Sequence, residues 1–273
     1  MKVIGSGGGS DLHNYRGHRT RDVVPWQQGH ELSGVVAAVG VGVSDLAVGQ
    51  RVGIEAEHLL GCDKCRWCLE GQYHVCPDRG VRHGARQGSH GFSQYDICVA
   101  ENVIPLPDDV SFDAAALVDC YACGVHAANR VPDVRGDVVA IIGAGAIAMA
   151  LGKVVKARGT GRVVLVGTRS QPVEVAIAAG SADVGVVASE QDPVGAVLEA
   201  TDGEGAGVTF ETVGGRSQLV QQAVEMTRRG GVVSVLGRFT KPLTLDPAAV
   251  MRKEITVQWS SRVSKCKARK GAP

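Results

Sequence analysis

Apolar residues fall in short runs separated by glycines, and the runs between Val138 and Arg169 give the clearest pattern. Val138-Val139-Ala140-Ile141-Ile142 leads into the turn Gly143-Ala144-Gly145-Ala146-Ile147-Ala148. An Ala- and Val-rich stretch then runs to Ala157, and Val163-Val164-Leu165-Val166 ends at Gly167-Thr168-Arg169. This order predicts strand, tight turn, helix, strand, which is one βαβ unit. The alternation continues downstream. Val184–Val187 and Val208–Glu211 read as strands, the second ending at Thr212-Val213-Gly214, with a helix from Val194 to Thr201 between them. A helix over Leu219–Arg228 is expected to close on Gly230-Gly231 in left-handed conformation, followed by strands over Val232–Leu236 and Ile255–Trp259. Six parallel strands with crossover helices make a doubly wound α/β sheet.

Upstream, the runs are shorter and richer in β-formers. Val35–Gly40 and Val48–Val52 suggest strands of a small barrel. Phe92–Val99 reads as a further barrel strand, Ile104-Pro105-Leu106-Pro107 as a crossing connector and Phe112–Val118 as a short helix. Residues 5–10, Gly-Ser-Gly-Gly-Gly-Ser, have the composition of a flexible linker, although the β-rich segment that follows argues against one.

The glycine turn carries chemistry because it sits between a strand and a helix. Gly143 permits the sharp turn. Gly145 lacks a Cβ, so a pyrophosphate can approach the N-terminus of the helix at Ala146 and Ile147. Ala148 lets the helix pack close to the strand. An NAD site of this kind expects an acid about 20 residues past the glycines, to bind the ribose 2′-hydroxyl. No acidic residue lies between Asp137 and Glu174, and the second strand ends in Thr168-Arg169. An arginine there would pair with a 2′-phosphate that a carboxylate would repel, so NADP(H) is expected over NAD(H). Ligands sit at the carboxyl ends of such strands, which places Val213 and Gly237 on the nicotinamide side.

A second chemical signal lies in the cysteines. Of eight in the chain, Cys62, Cys65, Cys68 and Cys76 follow a C-x2-C-x2-C-x7-C spacing. Four thiolates and no open position describe a closed, structural Zn2+ site; the run lacks the second cysteine group of an iron–sulfur protein. His30-Glu31 places a nitrogen and a carboxylate in one loop, weak evidence by itself. A net charge of +1 points to neither nucleic acid nor a membrane surface. The N-terminus has no apolar signal core and no apolar run approaches the ~20 residues of a membrane span, so a cytoplasmic protein is expected.

Taken in order, these motifs resemble the zinc-dependent medium-chain dehydrogenases of the alcohol, polyol and threonine dehydrogenase type. Gly29-His30-Glu31 with Gly34, Gly40 and Val43 matches that family's zinc signature, the four-cysteine lobe its structural zinc loop, and the glycine turn its cofactor domain. The match runs from about Gly9 to Ser261. It implies a GroES-like β-barrel catalytic domain over 1–127, N-terminally incomplete and carrying the zinc lobe at 62–76. A Rossmann domain over 128–261 and a disordered basic tail over 262–273 complete the expected layout, with the site in the cleft between the two domains. The implied reaction moves a hydride between the CH–OH of a small-molecule alcohol or polyol and the nicotinamide, with zinc as the Lewis acid. His30, Glu31 and Asp119 are the implied catalytic zinc ligands; Ser10 would pass the proton outward, with His13 the outer member of the relay. Asp119 is preferred because Asp-x4-Gly-x-His resembles the NADP-using secondary alcohol dehydrogenases, and Cys120 stands as the alternative ligand. A homodimer or homotetramer is implied, with neither nucleic acid nor membrane as partner.

The chain departs from the family pattern at one ligand. A cysteine is expected two residues before Ser-Asp, and there the sequence reads Gly8-Gly9-Ser10-Asp11, with no cysteine. The resemblance also begins after several barrel strands of the family and stops soon after the sixth parallel strand. Two other readings follow: a catalytically impaired relative or fragment that binds NADP(H) and one structural zinc, and a zinc-independent quinone reductase of the same superfamily. The cysteine lobe and His30-Glu31 argue against the last.

Overall fold

The computed structural model describes residues 2–6, 9–17, 28–55, 61–78, 91–215, 218–239 and 241–261. Gly8 and the basic tail over 262–273 lie outside them. The chain divides into two compact units, Met1–Ala122 and Cys123–Arg262. No helix among the described residues is long and apolar enough to cross a membrane.

The first unit carries an antiparallel sheet of β1 (Lys2–Ser6), β2 (Glu31–Val35), β3 (Arg51–Glu55) and β4 (Val103–Pro105), in that order. Leu32, Val36, Val52, Ile54 and Val103 form its core. Ser33 is fully buried in β2 and satisfies its hydroxyl by donating to Phe112 O at 2.7 Å. That bond ties the sheet to α3 (Phe112–Ala116), whose first turn is capped by Ser111 Oγ accepting from Ala114 N. Arg51 donates to the carbonyls of Pro107, Asp108 and Val110 and lies 4.9 Å over the Phe112 ring, fixing the approach to the same helix. Helix α4 (Val118–Asn129) follows directly.

Two expectations are corrected here. Phe92–Val99 is not a strand. Its backbone bends, with Ser93 Oγ donating to Tyr95 O and Asp96 Oδ1 accepting from Ile97 N, local bonds that compete with a ladder. The supposed connector supplies the strand instead: Ile54 pairs with Val103, Gly53 with Ile104 and Val52 with Pro105. Pro105 is tolerated because β4 is an edge. The argument against a linker over 5–10 is supported at its described residues: Gly5 and Ser6 pair with Leu32 and Glu31, and Gly9-Ser10 open helix α1 (Gly9–Tyr15).

The second unit is a six-stranded, all-parallel sheet. Its strands are β5 (Val138–Ile142), β6 (Arg162–Gly167), β7 (Val184–Val187), β8 (Ala206–Glu211), β9 (Thr227–Val235) and β10 (Thr256–Trp259), ordered β10-β9-β8-β5-β6-β7. Strand order reverses between β5 and β8, which is where such folds open a ligand crevice. The helices are α5 (Ala146–Ala157), α6 (Ser170–Ala178), α7 (Pro193–Glu199), α8 (Leu219–Met226) and α9 (Pro247–Lys253). They cover two apolar clusters, one containing Val139, Ile141, Leu151 and Phe210, the other Ala140, Ile142, Val164 and Val233. Asp192 and Asp246 cap α7 and α9, each followed by a proline at the first helical position.

The glycine pair after α8 plays a different part from the one expected. The helix ends at Met226, and β9 begins at once, where buried Thr227 bonds Thr209 Oγ1 and Ala223 O. Gly230, at φ 68°, lies within β9, whose register against β8 shifts between Ala206 and Val208. Its left-handed conformation therefore serves an irregular strand rather than a helix cap.

Candidate metal and cofactor sites

Cys65 caps α2 (Arg66–Leu69), Cys68 lies within it, Cys62 precedes it, and Cys76 follows a 3-10 turn over Tyr73–Val75. The four Sγ atoms all lie within 4.8 Å of one another. Cys65 Sγ is 3.5 Å from Cys68 Sγ and 3.7 Å from Cys76 Sγ. Tetrahedral zinc at ~2.3 Å from each sulfur separates its ligands by about 3.8 Å, so the spacing fits that ion. Gly61 makes room for the group: a Cβ there would meet Cys68 Sγ at 2.2 Å. Backbone N–H groups of Lys64 and Cys65 draw the Cys62 thiol down to about 6, whereas burial pushes Cys68 up to about 12. The Tyr73 hydroxyl donates to Glu55 Oε1 at the end of β3, fastening the lobe to the sheet.

Helix α1 carries Ser10, Asp11 and His13. Ser10 is half-buried and His13 exposed, one turn apart. Asp11, which the sequence reading passed over, is buried and organises the loop before β2. Its Oδ1 accepts from Gly29 N at 3.3 Å, and its Oδ2 lies at ion-pair distance, 3.1 Å, from His30 Nδ1. A carboxylate there favours the proton on Nδ1 and leaves Nε2 as the free lone pair, the tautomer a metal ligand needs.

Glu31 is buried in β2, with Glu55 as its register partner on β3. Cys120, also buried, donates its thiol to Glu31 Oε1 at 3.4 Å, and burial first, then the Glu31 charge, push that thiol up. Asp119 is half-buried in the first turn of α4. Among the described residues, the four-cysteine group is the one set of three or more ligand-bearing side chains closed to within 4.8 Å. His30, Glu31 and Asp119 do not close to that distance as a set of three, nor does the set with Cys120 in place of Asp119.

In the second unit, the expected cofactor residues lie at the carboxyl edge of the parallel sheet. Gly143, at φ 121°, follows β5, and a Cβ there would meet Thr212 Oγ1 at 2.2 Å. Gly145 caps α5 with nothing within 4 Å of the position its Cβ would take. Ala146 is exposed and Ile147 half-buried in the first turn of α5, whose unbonded amides are the kind of donors an anion needs. Ala148 is fully buried against the sheet. Thr168 and Arg169 stand exposed past the end of β6 and Val213 past β8, and Gly237 lies half-buried past β9.

Comparison with known proteins places the fold in a family. Residues 4–108 match the alcohol dehydrogenase GroES-like domain family and residues 146–270 the zinc-binding dehydrogenase family. The chain is 34% identical to a sorbitol dehydrogenase of Bacillus subtilis over 84% of its own length and 64% of the relative's. It is 31% identical to a D-arabitol-phosphate dehydrogenase of Enterococcus avium, over 90% of this chain and 70% of that one. The crystal structure of galactitol-1-phosphate dehydrogenase from Escherichia coli superposes with a TM-score of 0.83 at 29% identity, covering 99% of this chain and 76% of the other. The chain belongs to the zinc-type medium-chain dehydrogenase/reductase family. It spans under two thirds of the length of the B. subtilis relative.

Proposed function

We propose that this chain is a zinc-dependent oxidoreductase that moves a hydride between the CH–OH of a small alcohol or polyol and NADP(H). The observation that carries the reading is the carboxyl edge of the parallel sheet. There the α5 N-terminus stands open at Gly145, and β6 ends in Thr168-Arg169 with no acid in the place an NAD site would use. The polyol class is supported by the relatives, named for sorbitol, D-arabitol phosphate and galactitol 1-phosphate.

Bound zinc would supply a Lewis acid for the substrate oxygen and bound NADP+ the hydride acceptor. His30 would offer Nε2 to the metal, with Asp11 holding its other nitrogen. Glu31 and Asp119 are the oxygen donors of the set, and Cys120 is the alternative to Asp119. Ser10 and His13 would carry the released proton along α1 toward water. Cys62, Cys65, Cys68 and Cys76 would hold a second, structural zinc. A second reading, a cofactor-binding relative with only that structural zinc, is favoured by one observation: the cysteines close around a common centre and the His30 set does not.

Arg169→Ala tests the cofactor assignment. Loss of one charge-assisted contact to the 2′-phosphate should weaken NADPH binding about tenfold while NADH binding changes less than about twofold. Equal losses would refute it. Secondary alcohols and polyols offered with NADP+ test the activity. NADPH formation that stops when His30 is replaced by Ala supports the first reading; no turnover on the whole panel supports the second.

A further inference from the structure

Glu211 is the last residue of β8 and is fully buried. A carboxyl group in that position is costly unless it is well bonded. Its Oε1 accepts from two successive amides, Val213 N at 2.8 Å and Gly214 N at 2.7 Å. Burial pushes the group up, and the amides of Gly214, Val213 and Gly237 oppose it. Its side chain bends the chain that follows it into a compact turn.

That turn touches three strand ends. Thr212 donates both its amide and its hydroxyl to Ile142 O, at 3.0 and 2.8 Å, which fixes it to the end of β5. A Cβ on Gly143 would lie 3.2 Å from Val213 Cγ2, so Val213 stands beside the glycine turn. Gly214, at φ 64°, packs on the segment after β9, where a Cβ would meet Arg238 N at 2.4 Å. Gly215 N completes the join by donating to Arg238 O at 2.9 Å. The product is a rigid lip across β5, β8 and β9 that leaves the apolar Val213 side chain 49% exposed. The lip lies on the β8 side of the point where strand order reverses, away from Arg169 at the end of β6.

We propose that Glu211 is the positioning residue for the nicotinamide half of the cofactor. Its buried carboxylate folds the Thr212-Val213-Gly214 turn so that Val213 forms a fixed wall opposite the adenine side. The assignment rests on the NADP(H) reading above. Glu211 touches neither cofactor nor substrate in this role; it acts through the backbone of the turn.

Binding of NADPH and of 2′,5′-ADP, which lacks the nicotinamide, separates the two halves when measured by calorimetry on the full chain. Glu211→Met keeps the length and removes the acceptor; it should raise the NADPH Kd about tenfold and leave the 2′,5′-ADP Kd within about twofold. Glu211→Gln, whose amide oxygen can accept the same two N–H groups, should restore NADPH binding to within about threefold of the parent. Should Glu211→Met fail to fold, Gly214→Ala strains the same turn with the carboxylate in place and should show the same selective loss. An unchanged ratio of NADPH to 2′,5′-ADP affinity in the folded variants overturns the proposal, as does equal weakening of both. Failure of the parent chain to bind 2′,5′-ADP would instead sink the NADP(H) reading on which the proposal stands.

Discussion

Cys76→Ser lowers the zinc content of the purified protein by one ion per chain and leaves the segment around Cys62–Cys76 open to proteolysis. This is the largest effect expected of any single substitution in the first unit. The lobe has little apolar material of its own; Tyr73, His74 and Cys76 are its buried side chains beyond Gly61. Metal binding in small closed sites supplies roughly 10–16 kcal/mol of apparent folding free energy. A hydroxyl in place of one thiolate forfeits a large part of that. Cys76 is the informative choice because it is buried and comes from beyond the 3-10 turn, so it closes the loop on the three cysteines around α2. Metal analysis on parent and variant checks the result, with limited proteolysis as the second readout. Unchanged zinc content would mean that the four sulfurs hold no ion.

The second large effect falls in the other unit and runs against the usual rule. In an ordinary helix interior, Gly→Ala stabilises by about 1 kcal/mol. Gly152 lies inside α5, yet Gly152→Ala is expected to destabilise by about 3 kcal/mol, at the upper end of typical overpacking. The Cβ would sit 2.1 Å from Ser181 O and 3.0 Å from Ser181 C. Those are backbone atoms, so no side-chain rotation relieves the clash. Helix α5 would have to withdraw from the turn after α6, loosening Leu151 and Val155 in the core below. Denaturant unfolding measures the change directly; a variant as stable as the parent would show that α5 and the 181 turn separate at little cost.

How much of this was legible depended on whether a residue's role is local. Strands β5 and β6 are buried on both faces, so they read as unbroken apolar runs that end on glycines, and their positions were plain. The glycine turn was legible for the same reason, since its function depends on a strand before it and a helix after it. Strand β4 was missed because three residues ending in a proline carry no period, and their pairing with β3 is set about 50 residues away. Helix α6 was missed too; it opens on Ser170-Gln171-Pro172, which reads as a loop. Asp11 and Glu211 were not legible as supports, because a lone acid gains meaning only from the groups it meets. The same limit applies to Asp119 and Cys120. Successive helix residues point about 100° apart, and the packing of α4 decides which one faces Glu31. It places the Cys120 sulfur there.

The metal lobe also carries a chromophore. Trp67, one of three tryptophans in the chain, sits in α2 between Cys65 and Cys68, and the Arg66 guanidinium lies 4.1 Å over its ring. The geometry of that contact depends on the turn the cysteines hold in place. Filling or emptying the site therefore alters the surroundings of an indole already in position, and the protein's intrinsic emission becomes a gauge of its metal state that requires no label.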